Sequence, residues 1–171
     1  MVVLDPSVVI ALAKICDLDL VERTYGGAVI GPVVFEEVVT AGKRAGARGV
    51  EQVEHALQVG WLDVVRTTAA ERRLSEQILK TSRLHRGEAE TLAIAKRRRF
   101  AAVVDDKEAR NMATALKLDF VGTAGVLLEA FIRGHMTRAG LEDALMELSR
   151  VIWLSPQVIA GVLKVAREEE R

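Results

Sequence analysis

The stretch Val2-Val3-Leu4-Asp5-Pro6-Ser7-Val8-Val9-Ile10-Ala11-Leu12-Ala13 decides the fold. Its first three residues are apolar and mostly β-branched, the composition of a short buried strand. The run stops at Asp5-Pro6-Ser7, where Pro6 suits the first helical position and Asp5 the N-cap before it. A strand therefore feeds directly into a helix over residues 7–15. That helix is apolar on nearly every face, so it needs cover on more than one side.

The same strand-into-helix pattern recurs outward from there. Residues 28–30 form a second small apolar run, and Gly31-Pro32 opens a helix carrying Glu36, Glu37, Lys43 and Arg44. A short helix over residues 17–23 lies between the two units. Residues 46–59 have an amphipathic helical pattern, residues 62–65 a strand after Gly60-Trp61, and residues 68–80 a helix with Leu74, Ile78 and Leu79 inward. Gly87-Glu88-Ala89-Glu90-Thr91-Leu92-Ala93-Ile94-Ala95 is a strong helix whose last turn, Lys96-Arg97-Arg98-Arg99, suits the negative end of its dipole. A buried-type strand over 101–104 ends at Asp105-Asp106. A helix over 107–117, a strand over 119–121 and a Gly122-Thr123 turn into a helix reaching Ile132 complete the series. Such alternation predicts a parallel sheet covered on both faces, a three-layer α/β/α sandwich.

After Arg133-Gly134 the pattern gives only helices, over 139–150 and, with Ser155 as N-cap and Pro156 at N1, over 156–168. The expected organisation is one α/β domain over residues 1–133 and a helical extension over 134–171. The extension's apolar faces, which include Leu141, Leu145, Leu148, Ile152, Trp153 and Leu163, pack on the same domain or on a partner.

Composition narrows the classes. The 171 residues are 50% hydrophobic and 28% charged, enough for one good core. Lys plus Arg and Asp plus Glu are 24 each, so any nucleic-acid surface must come from local segregation of charge. Cys16 is the single cysteine, which excludes a disulfide framework and predicts a reducing, cytoplasmic setting. The N-terminal residues do not read as a leader, and the apolar runs are too short to span a membrane. His55 and His135 lack companions at zinc-ligand spacing.

In a parallel sheet, ligands bind beyond the carboxyl ends of the strands. Asp5 ends the first strand and Asp105-Asp106 ends the strand after the central helix. Glu37 and Glu88 lie early in helices that could reach the same edge. Magnesium and manganese take oxygen ligands and keep several waters, so three or four clustered acids suffice for one or two ions. Such ions activate water and neutralise phosphate charge, and no Ser-His-Asp or Cys-His set is then needed. Each acid also has a structural reading: Asp5 and Asp106 as N-caps, Glu88 as a first-turn acid, Glu37 as solvated surface. Their joint placement at one edge favours the functional reading.

These blocks resemble the prokaryotic PIN domains. Val2 to Ala13 resembles the family's opening strand and helix, with an apolar run, Asp, any residue, then Ser. Gly31-Pro32-Val33-Val34-Phe35-Glu36-Glu37 resembles its second block, a proline followed five residues later by an acid, so Glu37 is the match. Gly87-Glu88-Ala89-Glu90 resembles the third, with Glu88 where toxin-type members often have Asp. Val103-Val104-Asp105-Asp106-Lys107 resembles the fourth, with Asp106 at the usual acid, and Phe120-Val121-Gly122-Thr123 the closing strand and turn. The Gly-Glu-Ala-Glu block and the helical tail place the chain nearer a branch other than the common toxins. The resemblance implies an endoribonuclease dependent on Mg2+ or Mn2+, an RNA substrate, frequent homodimers and, in toxin-type members, an antitoxin partner. It implies Asp5, Glu88 and Asp106 as metal-site acids and Glu37 as a helper.

The remaining candidates are supporting ones. Asp105, Ser7 and Thr123 stand at the strand-to-helix turns of the same edge, where they would order waters or cap helices. Arg83, His85 and Arg86 precede Glu88 and could meet RNA phosphates. Aromatics are 4% of the chain and none is interleaved with basic residues, so RNA binding is expected to rest on charge and metal, not on base stacking. A different class is a PIN-fold module that turns over no RNA and acts through protein partners. A haloacid dehalogenase would need Asp where Ser7 stands, and a receiver domain an acceptor Asp that Val64-Val65-Arg66 does not offer.

Overall fold

In the computed structural model, which describes residues 1–169, the chain forms β1 (Val2–Leu4), α1 (Pro6–Lys14), α2 (Leu20–Tyr25), β2 (Ala28–Ile30) and α3 (Pro32–Phe35). A π-helical segment (Glu36–Thr40) runs on without a break into α4 (Ala41–Arg44), followed by α5 (Val50–Val59), β3 (Leu62–Val64), α6 (Ala69–Thr81) and α7 (Arg86–Arg98). Then come β4 (Ala101–Val103), α8 (Lys107–Ala115), β5 (Phe120–Val121), α9 (Thr123–Ile132), α10 (Arg138–Val151) and α11 (Pro156–Glu169). Residues 170 and 171 of the expected extension lie outside the described residues.

The five strands make one parallel sheet in the order β3-β2-β1-β4-β5. Successive side chains of a strand point to opposite faces, and here both faces are apolar. Val2 and Leu4 join the core made with α1, α2, α5, α9, α10 and α11, while Val3 joins the core made with α6, α7 and α8. The result is the α/β/α sandwich that the alternation predicts. Cover by α5, α9 and α10 accounts for the apolar sequence of α1, whose Val8, Val9, Ala11, Leu12 and Ala13 are all buried.

Helix starts follow local chemistry. Asp5 caps α1 by accepting from the Val8 N–H, with Pro6 in the first turn. Thr68 and Glu71 form a reciprocal capping box on α6. Boundaries differ from the sequence pattern where backbone geometry intervenes. The helix expected from residue 46 begins at Val50, because Gly49 sits at φ 90°, outside helical space, in a turn that crosses Ala13. The helix expected at 17–23 begins at Leu20, after Cys16 takes a left-handed conformation at φ 64°.

The extension is not set apart. Leu141, Leu145, Leu148, Val162 and Ala166 are buried in the same core as Val2 and Leu4, with α10 and α11 against α9 and α10 also against α1. Among the described residues, no helix is long and apolar enough to cross a membrane.

Candidate active site

From β1 the chain moves to β2 on one side, and later returns to β4 on the other. The crevice beyond the carboxyl ends of β1 and β4 is therefore where connections diverge, the usual ligand site of an open parallel sheet. Asp5 stands at its lip, its N–H donating to the Val103 carbonyl at 3.2 Å.

The two oxygens of Asp5 have different fates. Oδ1 accepts from the Val8 N–H at 2.8 Å and from Ser7 Oγ at 2.9 Å. Oδ2 is buried and has no hydrogen-bond partner among the described residues. Burial pushes the carboxyl up to about 7, and the negative charges of Asp105 and Glu88 push the same way against the two hydrogen bonds.

Asp5 opens onto a cavity of about 550 Å³ whose polar lining is Ser7, Glu37, His85, Arg86 and Glu88, with Pro6 and Ile10 as apolar wall. Glu37 comes from the π-helical segment, a widened turn that keeps the adjacent Val38 and Val39 both buried. Burial raises its pKa, and Glu88 adds to this, while His85, the Gly87 N–H and Arg86 oppose it. Glu88 sits in the first turn of α7 and its Oε2 accepts from the His85 N–H at 2.8 Å. It thus completes a helix start and faces the cavity, so its structural and functional readings coexist.

Two contacts seat α7 against this edge. Thr91 Oγ1 donates to the Leu4 carbonyl at 3.3 Å. Gly87 allows the helix to approach α1, since a Cβ there would lie 2.5 Å from Pro6 Cγ and 3.0 Å from Glu37 Oε2.

The paired aspartates after β4 separate. Asp105 accepts from the Thr123 N–H at 2.8 Å and from Thr123 Oγ1 at 2.5 Å, and Arg110 Nη2 lies 3.7 Å away. Of the two neighbours, Asp105 is the one whose charge acts on Asp5, alongside that of Glu88. Asp106 is exposed and caps α8, with Oδ1 accepting from Glu108 N at 2.7 Å and Ala109 N at 2.9 Å. It does not line the cavity. The Arg83 side chain is exposed outside the cavity, and its backbone N–H donates to Glu108. Asp5, Glu37 and Glu88 are thus brought together with Ser7, His85 and Arg86, while Asp105 is held by Thr123 outside that cavity, near enough for its charge to act on Asp5, and Asp106 caps α8. Among the described residues, no three Asp, Glu, His or Cys side chains are grouped tightly enough to hold a metal ion directly.

Sequence reasoning assigned no role to Glu90, which is buried and accepts from the Val33 N–H at 2.9 Å and the Val34 N–H at 3.4 Å. It fixes the helix start that leads to Glu37. The signal was present: residues two apart on a helix point roughly 200° away from each other, so Glu88 and Glu90 cannot serve one face. Arg110 carried no such signal, because its partner Asp105 is chosen by tertiary placement.

Comparison with protein families matches residues 1–168 to a family model described as PIN domain. Comparison with curated proteins and with solved structures gives no match.

Proposed function

Because the chain belongs to the PIN-domain family, we propose that it is a divalent-metal-dependent endoribonuclease cleaving RNA phosphodiesters at the β1/β4 edge. The observation that carries this is Asp5 Oδ2, a buried carboxylate oxygen with no hydrogen-bond partner among the described residues, on a side chain that belongs to the wall of an acid-lined cavity. Leaving such an atom unpaired is costly unless a proton or a cation meets it.

The donor set suits Mg2+ or Mn2+, which take oxygen ligands and fill most of their shell with water. Asp5, Glu37 and Glu88 would hold the ion through one or two direct contacts and bridging waters, which agrees with the loose spacing of the acids. When bound, the ion supplies an activated water and neutralises charge on the phosphate. Ser7 steadies Asp5, and Asp105, held by Thr123, adds negative charge that attracts a proton in the metal-free chain and would attract a divalent cation in its place. His85 and Arg86 line the same cavity and would orient the phosphate.

One observation favours a second reading, a PIN-fold module that binds partners without turnover: among the described residues, no three acids form a ready-made cluster. Cleavage of single-stranded RNA with manganese, together with calorimetric manganese binding, separates the two. We expect Asp5→Asn to abolish both and Asp105→Asn to weaken manganese binding. Asp106→Asn, which keeps an N-cap, is expected to leave both near the parent level. Absence of manganese binding in the parent chain would favour the silent module, and loss of cleavage in Asp106→Asn would restore the acid that the family resemblance implied. A role as the toxin of a toxin–antitoxin pair would add an antitoxin partner, and a homodimer would appear as a doubled mass in sedimentation.

A further inference from the structure

A second cleft, of about 380 Å³, opens beyond the carboxyl end of β4, with Asp105 in its wall. Its lining combines the apolar Ile152, Leu154 and Val158 with Lys107, Arg110 and Trp153. Trp153 is 85% exposed, far more than the chain's other tryptophan, Trp61, which is packed against the core. We propose that this cleft seats an unpaired base of the RNA strand, stacked on Trp153, with Lys107 and Arg110 on the flanking phosphates.

Three features point to this occupant. The indole is presented, not loose: its neighbours Ile152 and Leu154 pack against the core, so the connection between α10 and α11 is pinned on both sides of it. The charge is complementary to a polyanion: Lys107 is exposed and makes no ion pair among the described residues, and the Arg110 side chain is 41% exposed despite its contact with Asp105. The cleft also lies at the same end of the sheet as the acids, because its wall includes Asp105, just after β4, and β4 pairs with β1, which leads into Asp5. A strand crossing the scissile site would place a neighbouring nucleotide here. An aromatic face beside two cations is how single strands are held without sequence readout. The volume is that of a small-molecule pocket, sized for a base and not for the face of a helix. The proposal departs from the expectation that binding does without stacking, because the aromatic and the cations are remote in sequence and line one cleft in the fold.

This inference rests on the nuclease reading for the presence of RNA, yet it is tested without turnover. In full-length Asp5→Asn protein with chelator, the affinity of a short fluorescein-labelled single-stranded RNA is measured by anisotropy, alongside quenching of tryptophan emission. We expect Trp153→Ala to bind about tenfold more weakly or worse, Trp153→Phe to stay near the parent, and quenching to vanish in the alanine variant. Lys107→Gln should lower the slope of log affinity against log salt by about 0.7. Thermal melts check that the variants, altered at exposed positions, remain folded. Equal RNA affinity in Trp153→Ala overturns the proposal. So does a change confined to sedimentation, which would make the surface a contact between copies. Trp153-dependent binding by a chain that never cleaves RNA with manganese would leave the subsite standing and remove the nuclease.

Discussion

Asp5 combines the duties of a helix cap and of a buried acid, and the two oxygens divide them. Oδ1 is consumed by the Val8 N–H and Ser7, so whatever chemistry the residue performs falls to Oδ2. Burial sets the sign of its pH dependence. In the folded chain the group ionises at about 7, against 3.8 for its ordinary value. Between those values the folded state keeps a proton that the unfolded state has released. The resulting stabilisation is full at low pH and fades as pH rises through 7, by an amount of order a few kcal/mol. We therefore expect metal-free protein to lose denaturant resistance over that interval, and Asp5→Asn to flatten the fall while retaining an acceptor for Val8. Manganese should stabilise the parent most above pH 7 and leave the variant unchanged. Urea melts at stepped pH in chelator check this, and a parent curve as flat as the variant's would refute it. Asp105 and Asp106 show where the sequence stops being legible at this scale. They are identical residues side by side, and a contact with Thr123, eighteen positions after Asp105, holds one while the other caps α8.

Elements were more legible than residues, because their starts are fixed by neighbours in the chain. Asp5 with Pro6 and Ser155 with Pro156 mark helix starts by local hydrogen bonding and a preset φ, and each stands at its expected place. The π-helical segment was not legible. Its widening answers to the register between the core, which takes Val34, Val38 and Val39, and the cavity, which takes Glu37. That requirement exists only once α7 is in place. The bond between these elements is Glu90, whose carboxylate from α7 receives two N–H groups at the start of α3. Removing it strands two donors and opens a void, so Glu90→Ala should cost about 1–3 kcal/mol. Glu90→Gln, which keeps one acceptor oxygen, should cost less. Because α3 leads into the Glu37 turn, manganese affinity should drop in the same order. A shifted urea midpoint at constant slope measures the first effect, and an unshifted midpoint in Glu90→Ala would show that the N–H groups find water instead.

For the whole molecule, the question is whether the helices after Arg133 are an appendage or part of the fold. The sequence presents them as an extension, because alternation with strands ends at β5 and nothing local says where a helix's apolar face will go. In the structure that face is committed. Leu141 and Leu148 are 0% exposed, Leu145 is 2%, and all three share one core with the central strand β1 and with α9. Fully burying a leucine side chain is worth about 1.5–3 kcal/mol, so three of them approach the entire net stability of an ordinary domain, about 5–15 kcal/mol. Deleting residues 134–171 would also uncover the sides of α1 and α9 that α10 covers, an apolar surface prone to association. A chain ending at Arg133 should therefore fail to give a cooperative thermal transition and should elute as aggregate. The full-length protein should melt in one step, with Trp61 fluorescence and far-UV circular dichroism coincident. The Asp5 crevice depends on the same packing, since α1, which Asp5 caps, is held by α10. Manganese binding should accordingly be lost with the truncation and not merely weakened. A truncated chain that melts cooperatively and still binds manganese would make residues 1–133 an autonomous domain, with α10 and α11 free to serve a partner.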